Sequence, residues 1–61
     1  MPVITFEGPK LIKEQKQNLA KEFTETASKV TNIPKQAITI VIKENELDNI
    51  SVGGTLLSDR K

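Results

Sequence analysis

Apolar and polar positions alternate in different rhythms along the chain. Pro2 to Glu7 alternates moderately and carries Val3, Ile4, Thr5 and Phe6, β-branched and aromatic residues that fit a pleated, half-buried surface, so it predicts a strand. Gly8-Pro9 ends it, because proline lacks a ladder donor and glycine frees the turn. From Leu11 to Thr31 the apolar residues Ile12, Leu19, Ala20, Phe23, Ala27 and Val30 recur at spacings of three, four and seven. That spacing predicts an amphipathic helix with one buried face. Lys13, Glu14, Lys16, Gln17, Lys21, Glu25 and Lys29 would form its solvated face, with Glu25 and Lys29 as an i,i+4 pair worth a few tenths of a kcal/mol. No strong N-cap residue marks the start, whereas Asn32 and Pro34 stop the helix.

Ala37 to Lys43 predicts a second strand, with Ile38, Ile40 and Ile42 on one face and Thr39 and Val41 on the other. Apolar residues on both faces call for cover on both sides, by the helix and by another subunit. Two strands joined by so long a helix make a parallel βαβ unit. A polar loop, Glu44 to Asn49, precedes two short apolar pieces, Ile50 to Val52 and Thr55 to Leu57. The Gly53-Gly54 pair between them predicts a hairpin that reaches a neighbouring subunit. Ser58 to Lys61 reads as a frayed tail. The expected fold class is α/β: one domain over 1–61, a βαβ subunit with two parallel strands, one long helix and a short C-terminal β-hairpin, assembled as an oligomer.

Composition supports the need for partners. For 61 residues, apolar burial of roughly 90 kcal/mol at ~25 cal/mol/Å² is matched by an ordering cost of about the same size. Small chains close such a gap with disulfides, metals or partners, and this one has no Cys and no His, which leaves homo-oligomerisation. Nine Lys and Arg against eight Asp and Glu give a net charge of +1, and there are two Phe but no Tyr or Trp. With neither a basic stripe nor a stacking platform, nucleic acid is not an expected partner. No run approaches the roughly 18 apolar residues needed to span a membrane and no signal segment opens the chain, so no membrane partner and a cytoplasmic location are expected.

Few chemistries remain. Glu44, Glu46 and Asp48 alternate, but a calcium loop counted from Glu44 would need glycine at Asn49 and glutamate at Thr55, so no metal site is expected. Val52-Gly53-Gly54-Thr55 lacks the Gly-Lys-Ser/Thr of a phosphate loop and reads as a turn. Without His or Cys, triads and thiol chemistry are excluded. Pro2 stands out. Removal of Met1 would free a prolyl secondary amine at the head of a strand, with φ fixed near −65°. An ordinary α-amine has a pKa of about 7.7–8.0; a prolyl amine starts higher and burial pushes it down, into the range of a working general base. If Met1 is retained, the nitrogen is a tertiary amide and Pro2 is only the first residue of a strand.

Taken together, Met1-Pro2, a short strand ending in Glu7-Gly8, a helix opening with Glu14-Gln15-Lys16, a second strand ending at Glu44, and Val52-Gly53-Gly54 near the end resemble the 4-oxalocrotonate tautomerase family, in its DmpI-like branch. The resemblance covers nearly the whole chain. It implies a hexamer built of three dimers and a cofactor-free keto–enol tautomerase, in which Pro2 moves a proton between atoms of a small enol or 2-oxo acid substrate. The sequence departs from the family in its binding residues. Where the family has an arginine after its Glu-Gly pair this chain has Pro9, with Lys10 beside it as the candidate cation and Lys13 as the second choice. The family's second arginine falls on Thr39, and its pocket aromatic on Ile50, which keeps an apolar wall. A guanidinium fork that grips a carboxylate cannot be replaced by a hydroxyl, which argues against a dicarboxylate substrate. Two further functions fit the same residues. A charged Pro2 could promote hydration, dehalogenation or decarboxylation, or the chain could be a non-catalytic oligomeric scaffold.

Overall fold

The computed structural model describes residues 1–60. Strand β1 (Val3–Gly8) leads through a short loop into helix α1 (Lys13–Thr31), followed by a 3-10 turn (Lys35–Ala37) and strand β2 (Thr39–Glu44). A second 3-10 turn (Leu47–Asn49) precedes strands β3 (Ser51–Val52) and β4 (Thr55–Leu56), and a third (Leu57–Asp59) follows them. The chain pairs β1 with β2 in parallel, from Val3 opposite Thr39 to Gly8 opposite Glu44, and β3 with β4 antiparallel. The expected βαβ unit and hairpin are both present.

Alternation explains the packing. Ile4, Phe6, Ile40 and Ile42 are half-buried, whereas Val3, Thr5, Thr39 and Val41 between them are exposed. Phe6 meets Phe23 of α1 with ring centroids 6.2 Å apart and planes tilted by 41°, the offset geometry aromatic quadrupoles favour. Ile12 and Val30, expected on the buried stripe, are 64% and 76% exposed. They sit at the two ends of the helix, beyond the reach of a two-stranded sheet.

The element ends differ from the sequence reading for local reasons. The helix begins at Lys13 rather than Leu11, with extended Ile12 as its N-cap. Isoleucine has no acceptor to offer, so only half of a capping box forms, Gln15 Oε1 accepting the Ile12 N–H at 3.1 Å. At the other end Asn32 adopts φ 62° and its N–H reaches Ser28 O at 2.9 Å, as expected of a left-handed cap. The second strand starts at Thr39, not Ala37, because Pro34 nucleates the Lys35–Ala37 turn. The supposed tail is ordered through Asp59: Leu57 N–H donates to Ile50 O at 2.8 Å and the chain then winds into its last 3-10 turn. Lys61 lies outside the described residues. Gly53 and Gly54, at φ 63° and 87°, supply the positive angles of a two-residue hairpin turn.

Among the described residues none is enclosed by its own chain. The accessible surface is 4988 Å², against about 4,000 Å² for a compact monomer of this size. The radius of gyration is 14.8 Å and the extents are 43 × 24 × 15 Å, where a compact domain of this length would have a radius of about 10.5 Å. Exposed apolar residues include Val3 and Val41 on the outer sheet face and Val52 in the hairpin, at 55%, 44% and 54%. No helix among the described residues is long and apolar enough to cross a membrane.

Candidate active site

The head of β1 is held by the sheet. Pro2 is half-buried, and its carbonyl accepts the Thr39 N–H at 3.0 Å, extending the parallel ladder one residue beyond Val3. The carbonyl bond and the ring-fixed φ together restrain the atoms next to the Pro2 nitrogen. Thr39 therefore lies beside Pro2, on the exposed sheet face.

The other end of the sheet is built differently. Glu44 Oε2 accepts the Leu11 N–H at 2.8 Å and pairs with Lys16 Nζ at 3.0 Å. These contacts hold the Glu44 carboxyl below its ordinary value, the Leu11 N–H first and the Lys16 hydrogen bond second, with Lys10 adding a weaker attraction. Asn45 N–H donates to Gly8 O at 2.8 Å, and its side-chain amide reaches Glu7 Oε1 at 3.2 Å. Pro9, Lys10, Glu44, Asn45, Glu46 and Leu47 line an open cleft of about 520 Å³ at this end.

The four residues singled out from sequence thus fall into two groups. Pro2 and Thr39 share the start of the strands. Lys10 lines the cleft beyond their ends, and half-buried Ile50 follows the turn that begins at Leu47, in the same part of the chain. About 20 Å of strand separates Pro2 from Lys10 at ~3.3 Å per residue, so one chain does not bring all four together.

Residues 2–60 match the family model described as tautomerase enzyme. The chain belongs to the tautomerase family. A probable tautomerase from Lactiplantibacillus plantarum is 40% identical over 48 residues, which cover 79% of this chain and 75% of that protein. The crystal structure of YwhB, a homologue of 4-oxalocrotonate tautomerase, superposes with a TM-score of 0.92 at 31% identity, over 98% of this chain and all of the other. DmpI from Archaeoglobus fulgidus gives 0.88 at 36% identity, over 95% of this chain and all of the other. This tautomerase is accordingly an enzyme of the isomerase class, with the fold of the 4-oxalocrotonate tautomerase homologues, as the resemblance in its sequence implied.

Sequence reasoning missed the role of Glu44 and Lys16. Lys16 is half-buried and ion-paired instead of belonging to the solvated helix face, and among the described residues it is the Lys16–Glu44 pair that closes, not Glu25–Lys29. The available signal was the parallel register. In a βαβ unit the ends of both strands lie side by side, so the residues after Gly8 meet those at Glu44.

Proposed function

We propose that this tautomerase is a cofactor-independent keto–enol isomerase of a small enol or 2-oxo acid, with the amine of Pro2, freed by removal of Met1, as the general base. The observation that supports it best is the 3.0 Å bond from Thr39 N–H to Pro2 O, which holds the proline at the head of a sheet within a matched family region that begins at this residue. The neutral amine takes a proton from the enol hydroxyl, or from carbon next to a ketone. The resulting anion is spread over the conjugated oxygen and carbons, and the prolinium returns the proton at a different carbon, so no atom is gained or lost. Backbone donors steady the anion.

Lys10 of a second copy of the chain holds the substrate carboxylate, since its own Pro2 lies a strand length away. Ile50 supplies an apolar wall that disfavours the charged amine. Thr39 offers one hydroxyl beside the base. A single lysine and a hydroxyl suit a substrate with one carboxylate better than one with two. The site is then formed by a homo-oligomer, read from the family resemblance as a hexamer, in a cytoplasmic, single-domain protein. The exposed outer sheet face and projecting hairpin support such an assembly.

The test is Pro2→Ala on Met-free protein, assayed with enolpyruvates and 2-hydroxydienoates. The rate should fall more than tenfold, because the alanyl amine differs in basicity and freedom. An undiminished rate would remove Pro2 from the chemistry.

A further inference from the structure

The loop that carries Lys10 is tied down on both sides by residues at the end of β2. Before it, Gly8 O accepts the Asn45 N–H at 2.8 Å. After it, the Leu11 N–H donates to Glu44 Oε2 at 2.8 Å. The Lys10–Leu11 peptide plane is therefore fixed by a carboxylate 33 positions further on, and with it the backbone angle that aims the Lys10 side chain. Pro9 limits φ on the other side. Lys16, one turn into α1, meets the same Glu44 oxygen at 3.0 Å. That close contact goes to Lys16, while Lys10 attracts the carboxylate more weakly and lines the cleft.

We propose that Glu44 is a positioning residue for Lys10: its carboxylate holds the Leu11 amide and is paired with Lys16, so that Lys10 is presented to a substrate carboxylate from a loop held in place. The inference rests on the reading of Lys10 given above. Glu44 lines the same cleft, but its Oε2 is taken up by the Leu11 amide and Lys16, so its effect on binding is exerted through the loop. Loss of the acceptor at this point leaves the Leu11 amide unpaired and lets the loop move, lowering the fraction of molecules able to bind, which raises KM and leaves the proton transfers at Pro2 unchanged.

The test is a double-mutant cycle on the oligomeric, Met-free enzyme, with a 2-hydroxydienoate carrying one carboxylate as the probe. Lys10→Ala should raise KM about tenfold with kcat within about twofold, and Glu44→Ala should raise KM about fivefold. Glu44→Gln, which keeps an acceptor for the Leu11 amide, should stay within about twofold of wild type. In the double variant Lys10→Ala/Glu44→Ala, KM should be no higher than in Lys10→Ala alone, because a loop without Lys10 has nothing to aim. Amide exchange at Leu11 should quicken at least tenfold in Glu44→Ala and not in Glu44→Gln. If Lys10→Ala raises KM while Glu44→Ala does not, or the two effects multiply, or Leu11 exchange is unmoved, the positioning role is wrong. Should Glu44→Ala fail to fold, Glu44→Gln still decides: KM raised to the Lys10→Ala level overturns the proposal. An unchanged KM in Lys10→Ala overturns both the lysine's role and this one. Failure of the Pro2 reading is separate, since it appears in kcat of Pro2→Ala.

Discussion

Gly8, Glu44 and Pro2 each tie the local structure to a specific neighbour. At Gly8 an added Cβ would lie 2.8 Å from Phe6 Cε1 and 3.0 Å from Cζ, and the Phe6 ring is already packed against Phe23. Gly8→Ala should lower stability by about 1–3 kcal/mol through this overpacking, read as a fall in Tm or in the urea midpoint. Glu44 gives a pH dependence with a definite sign. Its carboxyl lies lower in the folded state than its ordinary value of 4.5. The stabilisation it contributes is therefore fully present above that value and is lost as pH falls through the lowered one. The Tm difference between wild type and Glu44→Gln should be present at neutral pH and close in acid; a difference independent of pH would show that the charge does not matter. Pro2 is the third, and the bond at its carbonyl fixes the start of the ladder whatever the state of its nitrogen.

At the scale of the element, the strand and helix rhythms were legible because each reflects a buried face: Ile4 and Phe6 in β1, Ile40 and Ile42 in β2, and Leu19, Ala20, Phe23 and Ala27 in α1 point to one interior. The hairpin was legible from Gly53-Gly54, whose positive φ values few other residues adopt. The capping of α1 was not, since it depends on Gln15 reaching back to Ile12 and on Glu44 reaching across from β2, and a linear pattern does not reveal a contact over 33 positions. The same limit applied to the site. Pro2 could be picked out from its place in the chain, but the separation of Pro2 from Lys10 depends on strand geometry. Two substitutions test the elements. Gln15→Ala should lower stability by about 0.5–1 kcal/mol by orphaning the Ile12 amide. Gly54→Ala, at φ 87°, should cost about 1–2 kcal/mol and loosen the hairpin, measured by thermal melts at fixed protein concentration.

At the scale of the molecule, a chain that encloses none of its described residues and exposes about 1,000 Å² more than a compact protein of its size has surface left over for association. That excess is close to what one partner buries in a standard interface, about 800 Å². The central pairing of β1 with β2 leaves Val41 44% exposed on the outer face. If a second copy covers that face, Val41→Asp should break the assembly and leave a largely unfolded monomer in analytical ultracentrifugation and circular dichroism; on a solvated face the same change would move stability by no more than about 0.5 kcal/mol. Tm should also rise with protein concentration, as it does when only the folded state associates. On the proposed function catalysis and folding would share one cause, since the assembly that covers the sheet would also carry Lys10 of one copy to Pro2 of another.

Beneath all three scales lies the state of a single nitrogen. Titrating ¹⁵N-labelled proline at position 2 by NMR, in protein recovered from its native host, reports that state directly. A secondary-amine resonance that titrates below the range of an unhindered prolyl amine, with a midpoint matching the acid limb of the kcat/KM profile, is the predicted result. A tertiary-amide resonance that does not titrate, or a midpoint unrelated to the rate, would contradict the account.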